Sequence, residues 1–227
     1  MLEGDAMKLE TIDVRQSASA ADLVFEALRK AIIEGALAGG EHLRQDHIAQ
    51  MFNTSRIPVR EALKRLEQDG LVTNERYKGT VVAELSTAEV EEIFEFRALI
   101  ESEVIRLAVP RLDARRLDEA RGHLEDFAGE ADPSLWGTIN RNFHYSLYAA
   151  SERPYHLQIV RSSLDRVDRY LRAQLTLTDG MRRARQEHEA IFDACARGDA
   201  DEAARLTRAH ILDASRSLTA FLENRRR

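Results

Sequence analysis

The sequence predicts a mainly α-helical chain in two parts: a small N-terminal part with one pair of short strands, and a larger C-terminal part of six helices. Two short helical patterns lie between residues 43 and 70, and a strand–turn–strand pattern follows them directly. Beyond residue 86, apolar residues recur with the period of an α-helix. The 227 residues, 44% of them hydrophobic, are enough to bury a substantial core.

The two short helical patterns have the order and length of a helix-turn-helix. Their apolar faces comprise Ile48, Ala49 and Phe52 on the first helix and Val59, Ala62, Leu63 and Leu66 on the second. Ser55 is placed to cap the second helix, and Gly70 can adopt the left-handed conformation that ends it. The opposite face of the second helix carries Arg56, Arg60 and Lys64 at four-residue spacing. We call these three cations the basic stripe.

A strand–turn–strand pattern, here called the wing, follows the second helix at once. Residues 71–74 and 80–83 have the pattern of short strands, and the turn between them carries Arg76, Lys78 and the flexible Gly79. A winged helix-turn-helix presents the start of its second helix to base edges in the major groove of DNA. The basic stripe alone would indicate only a solvated helix face, but its combination with the wing favours DNA binding.

These patterns predict three regions along the chain. An N-terminal arm covers residues 1–19, the winged helix-turn-helix covers residues 20–84, and an all-α six-helix bundle covers residues 85–227. Ser86 and Glu89 form a capping box at the start of the bundle. The later helix boundaries are marked by Pro110, Pro133, Pro154, Gly180 and Gly198.

Composition narrows the class of protein. The net charge is −6, so the cations that contact DNA must form a local basic face on an acidic body. Cys195 is the single cysteine, which excludes an intramolecular disulfide and fits a reducing compartment. No apolar run approaches the roughly 18 residues that cross a bilayer, and the N-terminus lacks an apolar leader. We therefore expect a cytoplasmic protein with no membrane partner.

Three of the seven histidines, His144, His188 and His210, fall on predicted core faces of three different helices. Asn140 lies one turn before His144 and shares its face. A single such histidine is most often a hydrogen-bonded core residue. Three that converge need a shared cation or bound anion, because an unpaired buried imidazole is costly. Neutral imidazole is the commonest metal ligand in proteins, so a divalent metal site is one interpretation of the pattern and an anion pocket is the other.

The segment TSRIPVREALKRLEQDGLV, residues 54–72, resembles the recognition helix and wing entry of GntR-family bacterial transcription regulators, whose usual form is near VSRTPVREALRRLEEEGLV. Ile57 stands where that family often has threonine, which removes one possible hydroxyl contact to DNA. The resemblance implies main DNA contacts from Ser55, Arg56 and Arg60, with Arg44, Lys78 and Gly79 in support. Lys64 joins these positions as the third cation of the basic stripe.

The helical part resembles the FCD effector domain of the FadR-like branch of that family. The resemblance is carried by Asn140-Arg141-Asn142-Phe143-His144, by His188 in QEHEAIF and by His210 in RAHIL. It implies that Asn140, His144, His188 and His210 hold a divalent metal, zinc, nickel or manganese, that in turn binds a small carboxylate. Asn140 stands where aspartate is usual, so we expect weaker metal binding and a more cationic site.

Arg97 and Glu101 lie one turn apart on the first helix of the bundle. Their spacing alone is compatible with an ordinary surface ion pair. The FCD resemblance implies instead that Arg97 faces the cavity and binds the carboxylate of the effector, while Glu101 orients Arg97.

We expect a homodimeric transcription regulator, with a repressor as the expected form, that binds a double-stranded DNA operator and responds to a small organic acid. One alternative is a metal-responsive regulator, in which the ion itself is the signal. Another is a metal-dependent enzyme that activates water at the three histidines. No nucleophile or general base stands out beside them, and an enzyme would leave the DNA-binding half unexplained. We therefore predict no catalytic residues.

Overall fold

The mainly α fold predicted from the sequence is confirmed by a computed structural model, which describes residues 19–130, 132–177 and 180–226. The predicted N-terminal arm, apart from Ser19, lies outside the described residues. Within them, the two strands both belong to the N-terminal part, and helices form the rest of the framework. None of the helices in these ranges has the length and apolarity required to span a membrane.

The N-terminal part is a winged helix-turn-helix. Its elements are α1 (Ala20–Ile33), α2 (Gln45–Met51), α3 (Arg56–Gln68), β1 (Val72–Glu75) and β2 (Gly79–Val82). The predicted apolar faces of α2 and α3 pack together with α1 around Val59, Ala62 and Leu66, which are fully buried. Burial of this shared apolar face holds the three helices together, since such short helices are marginal alone.

The wing pairs β1 with β2 in antiparallel register, so that Val72 faces Val82 and Glu75 faces Gly79. β1 begins and ends one residue later than predicted, and β2 begins and ends one residue earlier. The turn between the two strands is therefore shorter than the sequence pattern indicates. His42 adds a bridge to Val81, and its Nδ1 lies 3.1 Å from the carbonyl oxygen of Lys78. The segment before α2 therefore supports the wing, which the sequence had not indicated.

The ends of α3 match the sequence prediction only in part. Ser55 occupies the N-cap position, but its side chain makes no capping hydrogen bond, so the predicted side-chain cap is wrong. Gly70 ends the helix with a φ of 70°, as predicted. A Cβ at this position would also lie 2.9 Å from Nε of Arg166 on the helical bundle. Gly70 is thus favoured by its backbone conformation, while the Arg166 side chain could move to accommodate a Cβ.

The C-terminal part is the predicted bundle of six α-helices. They are α4 (Thr87–Ala108), α5 (Ala114–Gly129), α6 (Pro133–Tyr148), α7 (Pro154–Leu177), α8 (Gly180–Ala196) and α9 (Ala200–Arg226). Ser86 and Glu89 form the predicted capping box at the start of α4. The long α4 and α9 pack along each other, α6 and α7 also contact α4, and α5 packs against α6 and α8.

The core of the bundle has two apolar clusters with the functional residues between them. One cluster surrounds Phe143, Leu147 and Ile191, and the other surrounds Phe94 and Leu218. Because α4 and α9 contribute to both clusters, a polar side chain on either helix can be fixed at the junction.

The winged helix contacts the bundle through α1, which lies against α7. Arg29 on α1 donates from Nε to Oδ2 of Asp165 on α7 at 2.8 Å. Asp165 is only 5% exposed, so this ion pair is largely shielded from water. At the same junction, the hydroxyl of Tyr170 accepts a 2.8 Å hydrogen bond from the backbone N–H of Leu85.

Candidate functional site

The residues predicted to contact DNA lie together on the outer surface of the winged helix. All seven are exposed: Arg44, Ser55, Arg56, Arg60, Lys64, Lys78 and Gly79. The basic stripe runs along α3, while Arg44 and Ser55 immediately precede α2 and α3. This arrangement places cations on the face that a winged helix presents to the major groove.

Two of these cations are engaged with carboxylates of the same domain. Arg56 pairs with Asp46 on α2, and Nζ of Lys78 lies 2.7 Å from Glu75 in the wing. The hydrogen bond to Glu75 raises the pKa of Lys78, so this amine is charged at neutral pH. Both pairs are exposed, so exchanging the carboxylate for a DNA phosphate costs little.

Tyr77 at the tip of the wing was missed by sequence reasoning. Its side chain is 92% exposed, and its φ of 69° lies in the left-handed region that normally favours glycine. The guanidinium of Arg76 lies 5.1 Å from the centre of the Tyr77 ring. The turn contains two residues with positive φ, Tyr77 and Gly79, and the sequence pattern indicated only the glycine.

The three histidines singled out from the sequence converge inside the bundle. His144 comes from α6, His188 from α8 and His210 from α9, and one nitrogen of each lies within 4.8 Å of the others. The ring centroid of His144 lies 4.9 Å from that of His188 and 5.2 Å from that of His210, and the centroids of His188 and His210 are 4.8 Å apart. We call this group the histidine centre.

Burial keeps two members of the histidine centre, His144 and His188, uncharged at neutral pH. Removal from water lowers the pKa of His144 and of His188 well below the ordinary value, and the neighbouring His210 lowers both further. His188 is fully buried against the rings of Phe127 and Phe143, and neither of its ring nitrogens has a hydrogen-bond partner among the described residues. Neutral imidazoles with free lone pairs are the form that binds metal ions.

A cavity of about 50 Å³ lies beside the histidine centre. Its lining includes His144, His210, Asn140, Arg97 and Glu187. This volume exceeds the roughly 10–15 Å³ that one water requires. Asn140 therefore lies at the same cavity as two of the three histidines, as its position one turn before His144 predicted.

Arg97 and Glu101 form a buried ion pair, so the surface-pair interpretation is wrong. Their exposed fractions are 6% and 2%, and Nε of Arg97 donates to Oε1 of Glu101 at 2.7 Å. The Tyr148 hydroxyl donates to the other oxygen of Glu101 at 3.0 Å and lies 3.5 Å from Nδ1 of His144. A continuous polar chain thus joins Arg97 to the histidine centre.

Two carboxylates at the cavity were not identified from the sequence. Glu187 places Oε2 2.7 Å from Nδ1 of His210, and Asp168 on α7 lines the same cavity. Glu187 directly precedes His188, but its partner lies on another helix, 23 residues away. A contact between two helices cannot be predicted from the apolar period of either helix. The only available signal for Glu187 was its position next to His188, a candidate metal ligand.

The histidine centre fits a divalent cation. Its donor set of three imidazoles and a nearby amide oxygen matches the ligands that zinc and nickel accept, and the unpartnered nitrogens of His188 need such a partner. A core histidine satisfied by hydrogen bonds would not leave both nitrogens without a partner.

Two family models match the chain, one over the winged helix and one over the helical bundle. Residues 20–82 match the family model described as bacterial regulatory proteins, gntR family, and residues 92–213 match the model of the FCD domain. Together these two ranges take in the DNA-contact candidates and the histidine centre.

Individual relatives extend over most of the chain. The HTH-type transcriptional regulator BphR of Paraburkholderia xenovorans is 28% identical over 216 residues, covering 91% of this chain and 87% of its own. The HTH-type transcriptional repressor GlaR of Escherichia coli is 29% identical, with coverage of 83% and 90%. The crystal structure of a GntR family regulator from Pseudomonas syringae pv. tomato is 32% identical, covers 91% of this chain and 87% of its own, and has a TM-score of 0.57.

Proposed function

Because the chain belongs to the GntR family of bacterial regulatory proteins and carries an FCD domain behind its winged helix, we propose that it is a repressor controlled by a small carboxylate. It is a DNA-binding transcription regulator and not an enzyme. The observation that carries the proposal is the cluster of three histidines beside a cavity that two of them, His144 and His210, line together with Arg97. The similar GlaR is named a repressor, which supports that mode of action.

The proposed operator contact begins with Arg56 and Arg60. Both lie in the first two turns of α3, where side chains of a recognition helix reach base edges, and an arginine fork can bind guanine at two points. Lys64 and Lys78 would neutralise phosphates on either side. A homodimer would place two such helices about one turn of DNA apart, which matches a palindromic operator. Such a regulator acts in the cytoplasm.

The proposed metal site uses the histidine centre, with the amide oxygen of Asn140 as a fourth donor. Zinc, nickel and manganese are the candidate ions. When bound, such an ion supplies positive charge and open coordination positions that attract an anionic ligand. The imidazoles and the amide that would hold the ion bring no negative charge of their own, and the carboxylates of Glu187 and Asp168 at the cavity offset only part of the combined charge of the ion and Arg97, so an acid is favoured over a neutral ligand.

Arg97 gives the proposed ligand its second contact. Its guanidinium lines the cavity, and its hydrogen bond to Glu101 holds it there. A guanidinium fixed in this way can bind a carboxylate with little loss of side-chain freedom. Small carboxylic acids are therefore the class of effector that the cavity accepts best.

A chain of ion pairs offers a route from the cavity to the winged helix. Asp168 lines the cavity and lies 3.6 Å from Arg141 on α6, and Arg141 also pairs with Asp165. Asp165 in turn pairs with Arg29 on α1 of the winged helix. Both carboxylates are nearly buried, so neither can lose its partner without a large cost. A ligand that displaces Asp168 would therefore shift α1, and with it the reading helix.

Protein purified without added ions tests the proposal. Native mass spectrometry and elemental analysis would measure what the cavity carries, followed by operator titration with and without each component. A carried-over small acid that changes operator affinity supports carboxylate sensing. Operator binding that follows the metal alone, with no response to any acid, would replace the proposal with the metal-responsive alternative.

A further inference from the structure

We propose that Glu187 is the positioning residue that supplies the histidine centre with its missing negative charge, by holding His210 through its Nδ1 atom. The inference rests on the proposed metal site and deepens it. Imidazole and amide ligands such as the three histidines and Asn140 bring no negative charge, while a divalent cation in a buried site needs anionic compensation. The structure brings one carboxylate into direct contact with a histidine of the centre, and that carboxylate belongs to Glu187.

The contact fixes the state of the His210 ring. Oε2 of Glu187 lies 2.7 Å from Nδ1, so Nδ1 carries the proton and donates it to the carboxylate. The lone pair is then left on Nε2, the other ring nitrogen. A carboxylate behind an imidazole fixes its tautomer and orientation and makes it a stronger electron donor to a metal.

The other carboxylates near the cavity are committed elsewhere. Glu101 accepts hydrogen bonds from Arg97 and Tyr148. Asp168 faces Arg141, 3.6 Å away. The cationic neighbour of Glu187 is Arg183, at a distance of 3.9 Å and largely exposed, so it competes weakly for the carboxylate. Glu187 is therefore the carboxylate best placed to compensate positive charge at the histidine centre.

Zinc titration of the full chain, stripped of metal with a chelator, tests this inference. Glu187→Gln keeps the length and the hydrogen-bond acceptor but removes the charge, so the fold should survive. We expect this variant to bind zinc roughly 10- to 100-fold more weakly than the wild type, the usual effect of losing such a partner. Glu189→Gln is the matched control, because Glu189 lies two residues along the same helix and pairs with the exposed Arg185.

A second variant separates charge compensation from a merely structural role. Asn140→Asp places a carboxylate at the cavity from the opposite helix, so it should restore zinc binding when combined with Glu187→Gln. The melting temperature of the metal-free protein should be the same for the wild type and Glu187→Gln. A lower metal-free melting temperature without rescue by Asn140→Asp would mean that Glu187 only stabilises the fold, and would overturn the inference.

The titrations also distinguish this inference from the proposed function. Wild type that binds no zinc, nickel or manganese would overturn the metal site itself, and the inference with it. Wild type that binds zinc, together with a Glu187→Gln variant of equal affinity, would overturn the role of Glu187 and leave the metal site standing.

Discussion

His188 is the residue whose chemistry most clearly requires something that the chain itself does not provide. It is fully buried, both ring nitrogens are without a partner among the described residues, and aromatic rings surround it. An unsatisfied buried polar group of this kind costs about 1–3 kcal/mol. Such a cost is tolerated where function requires it, and here the function that fits is metal binding.

Replacing His188 with leucine should therefore have opposite effects on stability and on metal binding. We expect His188→Leu to raise the melting temperature of the metal-free protein, because it removes unsatisfied nitrogens from an apolar site. The same variant should lose the stabilisation that zinc gives the wild type. Differential scanning fluorimetry with and without zinc measures both effects. His123→Leu, at a partly exposed position on α5, should change neither; a zinc shift retained by His188→Leu would contradict the metal site.

Cys195 has no role in the proposed mechanism. Burial raises the pKa of its thiol to about 12, from an ordinary value of about 8.5. The reactive thiolate is therefore nearly absent at pH 8. Folded protein should leave a thiol reagent such as Ellman's reagent unconsumed over minutes at pH 8, whereas protein in denaturant should consume one equivalent. Rapid labelling of the folded chain would contradict the burial of this side chain.

At the scale of single elements, α3 is the helix that we expect to provide the sequence-specific contacts to DNA. Arg56→Ala and Arg60→Ala should each weaken operator binding by roughly 1–3 kcal/mol, because each removes a candidate base contact. Lys78→Ala should weaken all DNA sequences alike and reduce the salt dependence of binding. Fluorescence anisotropy on operator and scrambled duplexes measures both. Arg205→Ala, on an exposed face of α9, is the control; unchanged affinity in both α3 variants would remove α3 as the reading helix.

The contact between α1 and α7 should transmit the response of the cavity. Arg29→Ala removes the winged-helix end of the ion-pair chain but leaves Asp165 paired with Arg141, so the fold should survive. We expect the operator response to an effector acid to shrink, while operator affinity without acid changes little. Lys30→Ala is the matched control, since Lys30 is the next residue and lies near Glu34 on the surface. Operator titration with and without the acid measures the response. A full response in Arg29→Ala would rule out this route.

The elements themselves were largely predictable from the sequence, because helix period, caps and turn residues are local signals. The six bundle helices and the end of α3 at Gly70 follow such signals. What could not be predicted is contact between distant segments. Arg29 and Asp165 are 136 residues apart, and nothing in either local pattern marks their pairing. The convergence of the histidines was predictable only because each lay on a core face of its own helix.

The site was predicted less completely than the fold. Asn140, Arg97 and two of the three histidines line one cavity as expected. The sequence did not decide whether Arg97 and Glu101 are buried, because an ion pair at four-residue spacing has the same sequence pattern on a surface and in a core. Glu187 was missed because a carboxylate on a polar helix face gives no sign of which neighbouring helix it meets. Asp168 is 1% exposed and lies one turn from the buried Leu164 and Leu171, so a carboxylate on an apolar helix face was the signal that sequence reasoning overlooked.

At the scale of the whole molecule, the basic stripe and the histidine centre lie in different parts of the acidic chain. A net charge of −6 coexists with an exposed basic stripe, so attraction to DNA depends on one face of the winged helix. The histidine centre lies inside the bundle, on the other side of the α1–α7 contact. Regulation then requires a free-energy coupling between the two sites, commonly 1–3 kcal/mol in allosteric proteins.

The central claim is that a carboxylate bound at Arg97 controls operator affinity. It is tested most directly by operator titration of the zinc-loaded wild type and of Arg97→Lys, each at rising concentrations of an acid selected by thermal-shift screening. Lysine keeps a charge beside Glu101 but loses the two-point grip on a carboxylate. We predict a roughly 5- to 150-fold change in operator affinity for the wild type. Arg97→Lys should show almost no response and an unchanged affinity without acid. An equal response in both proteins, or a response only to neutral compounds, would contradict the claim.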